Sequence, residues 1–230
     1  MLPIENSVNR TGPMDAGERT RNPSQQIEMP VENVVPCFTP GTVIATPMGE
    51  RRVEGLRVGD RVLTRDNGLQ AIRWIGSCRL RAEDLRKAPT LRPVLIRSGA
   101  LDHGLPEADI MVSPWHNILI QSDRAAEFFE DSEVLAAAGH LTGLDGVDTA
   151  DVASVTYIHF MFDQHQVVLS NGMWTESFRP DDRVMQGLGA VQRREILDLF
   201  PNLRDAPGRK AYQSARKALN ADECQLLIKS

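Results

Sequence analysis

The chain has 230 residues, of which 41% are hydrophobic and 25% are charged, a composition typical of a soluble globular protein with one ordinary domain and tails. No apolar run approaches the roughly 18 uncharged residues that a bilayer span requires, so we expect no membrane-spanning segment. The net charge of −5 gives no general attraction for nucleic acid or anionic lipid, and we expect no nucleic-acid partner.

The first segment of the chain differs from the rest in amino-acid composition. Residues 1–36 contain prolines at intervals among polar and charged residues and have no periodic apolar face, which predicts a flexible N-terminal tail. The segment also lacks the apolar run of a secretory signal peptide. We therefore expect a protein that is cytoplasmic, or one that is secreted without such a peptide.

The cysteines stand at positions 37, 78 and 224, and no two of them form a Cys-x-x-Cys pair. An odd number without such a pair argues against a disulfide framework and against a structural zinc site. Cys78 lies in a strand-like stretch and Cys224 in a helical pattern, and both are predicted to be small buried hydrophobes. Cys37 stands where the tail meets the domain, where a nucleophile and an exposed structural cysteine are both possible.

From Cys37 onward, short runs rich in valine and isoleucine are separated by turn formers, a pattern typical of an all-β domain. Asp66-Asn67-Gly68 predicts a tight hairpin, because asparagine and glycine tolerate the positive φ that such a turn needs. The predicted strands cover residues 42–45, 61–64, 70–75, 93–98, 109–113, 117–120, 154–160 and 165–169.

Helical patterns interrupt and then follow these strands. Residues 124–138 place alanine, glutamate and leucine at helical spacing, although the aromatic and β-branched residues among them would also suit a strand. After Pro180, residues 191–200 have one apolar helical face, and residues 210–219 and 222–228 predict two further helices. The prediction is an all-β core with a C-terminal helical tail.

A cysteine that attacks a carbonyl carbon needs a base, donors for the developing oxyanion and an acid for the leaving amine. Ser113 and His116 lie three residues apart between two predicted strands, and His159 and His165 lie on or near the last ones. Together with Cys37 they form the predicted catalytic set. A metal site made from the three histidines matches no standard spacing, and we expect neither a metal nor another cofactor.

Four motifs follow one another from the cysteine onward. They are Cys-Phe-Thr-Pro-Gly-Thr at 37–42, Val-x-x-Leu-x-x-Gly-Asp-x-Val-Leu-Thr at 53–64, Ser-Pro-Trp-His at 113–116 and His-x-Val-Val-x-x-Asn-Gly at 165–172. In this order they resemble the Hint domains of Hedgehog and intein proteins, most closely the bacterial Hint domains that do not splice. The resemblance implies a compact horseshoe of short, mostly antiparallel strands. It divides the chain into a tail (1–36), a Hint-like autoprocessing domain (37–180) and a helical C-terminal extension (181–230).

The resemblance also implies roles for the candidate residues. Cys37 corresponds to the first residue of the processing domain, whose thiol attacks the carbonyl carbon of Pro36 and forms a thioester. Ser113 and His116 correspond to a Thr-x-x-His element that distorts the scissile peptide and protonates its nitrogen, with serine here in place of threonine. His159 falls where splicing inteins usually have an aspartate.

His165 precedes the last predicted strand and is expected to position the same network. Splicing inteins end in His-Asn followed by cysteine, serine or threonine, and residues 173–178 contain no such pair. The resemblance therefore implies self-cleavage without splicing. The substrate would be the protein's own N-terminal segment, and the thioester would pass to water or to an unknown acceptor. Because Pro36 restricts the backbone at the scissile bond, we expect a low rate.

Two alternatives stay open at this point. A degenerate Hint fold would serve as a β-rich interaction module with an unreactive cysteine. A cysteine–histidine hydrolase that acts on other proteins is the third reading, and the position of Cys37 beside an attached tail argues against it.

Overall fold

The computed structural model describes residues 35–228. The predicted flexible tail, residues 1–36, lies outside this range except for Val35 and Pro36, which are both buried. The strands are β1 (Val43–Thr46), β2 (Gly49–Arg52), β3 (Arg61–Thr64), β4 (Gly68–Ala71), β5 (Trp74–Leu80), β6 (Val94–Ile96), β7 (Ile110–Val112), β8 (Asn117–Gln121), β9 (Glu133–Ala137), β10 (Val147–Thr149), β11 (Val155–Met161), β12 (Val167–Ser170), β13 (Met173–Glu176) and β14 (Lys217–Leu219). The α-helices are α1 (Ala82–Lys87), α2 (Asp123–Phe129), α3 (Asp182–Gly187), α4 (Ala190–Leu199), α5 (Ala206–Ala211) and α6 (Ala221–Ile228).

The described strands form three sheets. The largest has the order β14-β9-β8-β13-β12-β1-β2, and β3 pairs with both β12 and β4 beside it. The other two have the orders β10-β6-β7 and β11-β5. Of the strand pairs in residues 35–228, β14 with β9 is parallel and the others are antiparallel. The predicted all-β class with C-terminal helices is confirmed.

The predicted hairpin joins β3 to β4, with Thr64 opposite Gly68, and Gly68 adopts a φ of +60°. The single strand predicted over residues 70–75 is wrong, because the chain changes partners within it. The amide of Ile72 still bonds to Asp60 near β3, whereas the amide of Arg73 bonds to Met161 on β11. β4 therefore ends and β5 begins within these residues.

Two helix predictions are wrong in part. Only the first half of residues 124–138 is helical, because α2 ends at Glu130 in the left-handed region and β9 follows between β8 and β14. Residues 210–219 include the end of α5, but residues 217–219 form β14. In both places, pairing with a remote strand outweighs local helix propensity. The helices predicted over residues 191–200 and 222–228 are confirmed by α4 and α6.

Two hydrophobic cores lie on opposite faces of β11. Because side chains alternate along a strand, Ile158 and Phe160 face one core while Tyr157 and Met161 face the other. The first core is built mainly by the sheets and includes Phe38, Ile44, Ile96, Val112, Ile158 and Phe160. The second core includes Cys37, Trp74, Tyr157, Met161, Phe178, Val184, Met185 and Ile196. Helices α3 and α4 therefore complete the second core.

Cys78 is buried in the second core and Cys224 in the first, as predicted for both. Among residues 35–228, no helix combines the length and the apolar character that crossing a bilayer would require.

Candidate functional site

The backbone around Cys37 is fixed between β7 and β11. Phe38 exchanges two backbone hydrogen bonds with Ile158, with N···O distances of 2.8 and 2.9 Å, and the amide of Ser113 donates to the carbonyl of Cys37 at 2.9 Å. The ring of Phe38 packs in the first core, so the neighbouring thiol faces the second. Cys37 is 1% exposed.

The hydroxyl of Ser113 joins the two sides of Pro36. It accepts a hydrogen bond from the backbone N–H of Cys37 at 2.9 Å, and it donates one to the carbonyl oxygen of Val35 at 2.8 Å. The nitrogen of the Pro36–Cys37 peptide bond is thus held by a side chain that lies 76 positions away in the sequence. One serine hydroxyl can restrain the geometry of that bond.

The thiol of Cys37 lies beside an imidazole. Its sulfur is 3.3 Å from Nδ1 of His159 and 3.3 Å from the carbonyl oxygen of Val35. The imidazole of His159, which extends from β11, stacks on Trp74 with ring centroids 5.1 Å apart and is buried. The strand register sets this position, because His159 lies opposite Gly76, where a side chain would collide with the ring.

Burial dominates the electrostatics of this pair. It raises the pKa of the Cys37 thiol well above its usual value, an effect to which nearby Cys78 adds and which the hydrogen bond with Ser113 opposes. Burial also lowers the pKa of His159 to about 4, against a smaller upward effect of Gln192. Both groups are therefore neutral near pH 7. The imidazole lies where it could accept the thiol proton, but the lowered pKa of His159 and the raised pKa of Cys37 make that transfer strongly unfavourable at rest.

His116 packs against the residue that follows the cysteine. Its ring meets Phe38 edge-on at a centroid distance of 4.4 Å, and within residues 35–228 neither ring nitrogen has a hydrogen-bond partner. Burial lowers its pKa to about 4, and the nearby carboxylate of Glu176 acts in the opposite direction. Burying an imidazole whose ring nitrogens have no partner costs free energy of folding.

The sequence interpretation missed Glu176 as a buried acid. One oxygen, Oε1, accepts hydrogen bonds from the backbone and the side-chain amide of Asn117, at 2.9 and 2.8 Å. Oε2 lies 3.3 Å from Nε2 of His165. Burial alone would raise its pKa, but His165, His116 and Asn117 together hold the pKa below the usual value. A glutamate that closes a buried strand was the only available sequence signal.

His165 lies in this acidic network. Its Nδ1 accepts the backbone N–H of Ala215 at 3.0 Å, so its ring proton lies on Nε2, between the carbonyl oxygen of Ser177 and Glu176. Cys37 is in direct contact with Ser113 and with His159. His165 instead contacts Glu176, and both of these residues influence the pKa of His116. In the described part of the chain, no group of three or more His, Cys, Asp or Glu side chains is arranged to hold a metal ion.

Two spaces adjoin the scissile bond. A void of about 10 Å³ lies among Val35, Cys37 and Tyr157. A cleft of about 370 Å³ reaches Pro36, and its lining combines apolar residues with charged ones such as Glu176 and Arg183. Of these two spaces, the cleft is the one with room for a molecule larger than water.

Comparison with known proteins places these features in a family. Solved structures similar to this one include the gp41-1 intein (14% identity, TM-score 0.36, 61% of this chain and 97% of that one) and the AceL NrdHF class 3 split intein (12%, 0.40, 62% and 97%). A bacterial intein-like domain from Clostridium thermocellum is also similar (16%, 0.40, 61% and 97%). None of the curated proteins matches the chain. A Hint domain family model matches residues 36–182, more than half of the sequence, and the chain therefore belongs to the Hint domain family.

Proposed function

We propose that this protein cleaves itself at the Pro36–Cys37 bond through a thioester, without splicing. Its membership of the Hint family supports an autoprocessing-type domain in general. The observation that supports the specific reaction is the double contact at Cys37. Ser113 holds the nitrogen of the scissile bond at 2.9 Å, and His159 lies 3.3 Å from the sulfur that would attack it.

In the proposed first step, Nδ1 of His159 takes the thiol proton while the sulfur bonds to the carbonyl carbon of Pro36. The bond from that carbon to the nitrogen of Cys37 then breaks, and protonated His116 gives its proton to the departing amine. The thiol proton is then on His159, the proton of His116 is on the new amine, and a thioester has replaced the amide. Because both imidazoles have a pKa of about 4, the form with only His116 protonated is a minor one at pH 7, which supports a slow reaction.

The small void at the sulfur supports an intramolecular substrate. A space of about 10 Å³ holds one water molecule at most, and the segment that would be cut, Val35-Pro36, already occupies the site. A peptide from another protein would have to displace it. This favours self-cleavage over a hydrolase that acts on other chains.

The second half-reaction needs a nucleophile at the Pro36 carbonyl carbon. The cleft of about 370 Å³ that reaches Pro36 supplies a route for water or another small acceptor, and its lining combines charged and apolar side chains. Water would attack the carbonyl carbon, the carbon–sulfur bond would break, and the thiol of Cys37 would regain a proton. The products would be residues 1–36 with a carboxyl terminus and a chain that begins at Cys37.

Intact-mass spectrometry of the full chain with and without dithiothreitol tests the proposal. We expect a fragment that ends at Pro36, formed with a first-order rate that does not depend on protein concentration. The control variant Cys37→Ala should stay whole. A wild-type chain that keeps its full mass under both conditions excludes the proposal, and a rate that rises with protein concentration points to cleavage between molecules.

One observation favours a second candidate, a Hint fold kept as a non-catalytic interaction module. The thiol is almost fully buried, and burial keeps it protonated, which is also what an inert core cysteine shows. For this candidate we expect Cys37 to resist alkylation in the folded protein and the chain to stay intact with thiols. Release of the N-terminal fragment would exclude it.

A further inference from the structure

A buried amide of the C-terminal extension faces the imidazole of the site. Gln192 lies on α4, is 2% exposed, and donates its side-chain N–H to the carbonyl oxygen of Ser77 at 3.1 Å. That bond fixes the orientation of the amide, because the nitrogen points at Ser77 and the oxygen, Oε1, must then point elsewhere. Within residues 35–228, Oε1 has no hydrogen-bond partner.

The nitrogen of His159 that faces away from the cysteine likewise has no hydrogen-bond partner within residues 35–228. Its Nε2 is buried and makes no hydrogen bond to any part of the chain that the structure describes. It lies over Gly76, where a Cβ would be 2.8 Å from it, and Gly76 is the neighbour of Ser77, to which Gln192 is bound. Two buried polar atoms, Nε2 of His159 and Oε1 of Gln192, thus belong to side chains that contact adjacent residues of β5. Neither atom has a hydrogen-bond partner among residues 35–228.

The amide acts on this imidazole, since it raises the pKa of His159 against the larger effect of burial. With its nitrogen bound to Ser77, the amide has Oε1 left to accept a hydrogen bond from Nε2. The resulting hydrogen bond would satisfy two buried polar atoms at once, which is strongly favoured in an apolar surrounding.

We propose that Gln192 is a positioning residue that keeps the ring proton of His159 on Nε2, so that Nδ1 is free to take the proton of the Cys37 thiol. The inference rests on the proposed self-cleavage. Neutral imidazole carries one ring proton, and a proton on Nδ1 would turn the base into a donor that faces the sulfur. When His159 takes the thiol proton, Gln192 also stabilises the imidazolium through Nε2–H. The C-terminal extension would then supply part of the catalytic apparatus.

The tautomer can be measured without cleavage, in the full chain that carries Cys37→Ala. Nitrogen-15 NMR of the histidine rings should place the proton of His159 on Nε2. Adding Gln192→Met, which removes the acceptor from a side chain of similar length, should shift the population toward Nδ1–H. A proton on Nδ1 in the Cys37→Ala chain would overturn the inference. A tautomer population that stays the same when Gln192→Met is added would also overturn it.

The rate gives a second readout. With Cys37 intact, we expect Gln192→Met to slow first-order cleavage by about ten- to a hundredfold, less than the about 10²- to 10⁴-fold of a lost acid or base, because His159 itself stays in place. The matched control is Arg194→Ala on the same helix, which removes only an exposed ion pair with Asp198 at 3.9 Å. It should change stability little and keep the rate close to wild type.

The outcomes separate the two proposals. If the wild-type protein never cleaves, the proposed function is excluded, and the tautomer measurement still tests the role of Gln192. If the wild-type protein and the Gln192→Met variant cleave equally fast, only the role of Gln192 is excluded. Should Gln192→Met fail to fold, Gln192→Asn withdraws the acceptor by one methylene and replaces it in both experiments.

Discussion

The two hydrophobic cores divide the molecule between Cys37 and Phe38, which are adjacent in sequence. Phe38 belongs to the first core, which the sheets build and which lies almost wholly within the Hint match. Cys37 belongs to the second core, which α3 and α4 complete from beyond that match. The surroundings of the candidate nucleophile therefore depend on helices α3 and α4, which lie almost entirely outside the Hint domain match.

Both cores contain a buried neutral histidine, and acid should weaken both. His116 packs on Phe38 and His159 on Trp74, and each has a pKa of about 4, against about 6.5 in an unfolded chain. Because the unfolded state binds the proton first, stability is full above pH 6.5 and falls as the pH drops toward 4. At pH 5 we expect a loss of about 2 kcal/mol for each histidine, about 4 kcal/mol in all.

Urea unfolding at pH 7 and pH 5 measures this loss. His116→Phe and His159→Phe should each remove about half of the pH dependence. If one variant removes all of it, the two cores do not share the acid sensitivity equally.

Truncation of the second core should separate activity from stability. Ile196 on α4 is fully buried there, and Ile196→Ala should cost about 3 kcal/mol and slow cleavage strongly, because α4 then loosens beside His159. The matched change is Ile96→Ala in the first core, at an equally buried site. It should cost a similar free energy and slow cleavage much less. Equal effects on the rate would break the distinction between the cores.

Loss of the Ser113 hydroxyl should slow the reaction with little unfolding. Ser113→Ala removes hydrogen bonds to the Cys37 amide and to the Val35 carbonyl, and we expect about a hundredfold lower cleavage rate, as when a polarising donor is removed from an active site. Ser113→Thr keeps the hydroxyl and should retain most of the rate. Cleavage by Ser113→Ala at the wild-type rate would exclude a part for this hydroxyl.

A methyl group at Gly76 should disturb the second core locally. Its Cβ would lie 2.6 Å from the Trp74 ring and 2.8 Å from Nε2 of His159, so Gly76→Ala should cost about 2 kcal/mol and shift the imidazole. Gly55→Ala is the control, since its Cβ meets no atom within 4 Å. Thermal unfolding and cleavage rates of the pair measure the effect, and equal behaviour would contradict the packing at His159.

The sequence predicted the parts of the site that depend on short motifs. The cysteine at the start of the strand region, the Ser113-x-x-His116 spacing and the order of the motifs were all readable. The strand around His159 was predicted as well, because it belongs to a short apolar run that contains valine and isoleucine. What that pattern does not contain is the pairing of β11 with β5, which places His159 over Gly76 and beside Cys37, 122 positions away.

Glu176 and Gln192 were missed for the same physical reason. Their burial depends on contacts with Asn117, 59 positions away, and with Ser77, 115 positions away. A lone glutamate or glutamine in an ordinary strand or helix gives no sign of such partners. The strand β14 was likewise predicted as helix, because its pairing with β9 is a tertiary contact that local spacing does not encode.

Trapping with hydroxylamine tests the central claim most directly. Hydroxylamine attacks a thioester far faster than an amide, so the wild-type chain should release residues 1–36 as a hydroxamic acid at Pro36, and Cys37→Ala should release nothing. Mass spectrometry of the released fragment identifies both its last residue and the adduct. A wild-type chain that stays whole, or equal cleavage of the Cys37→Ala variant, would contradict the thioester at Cys37.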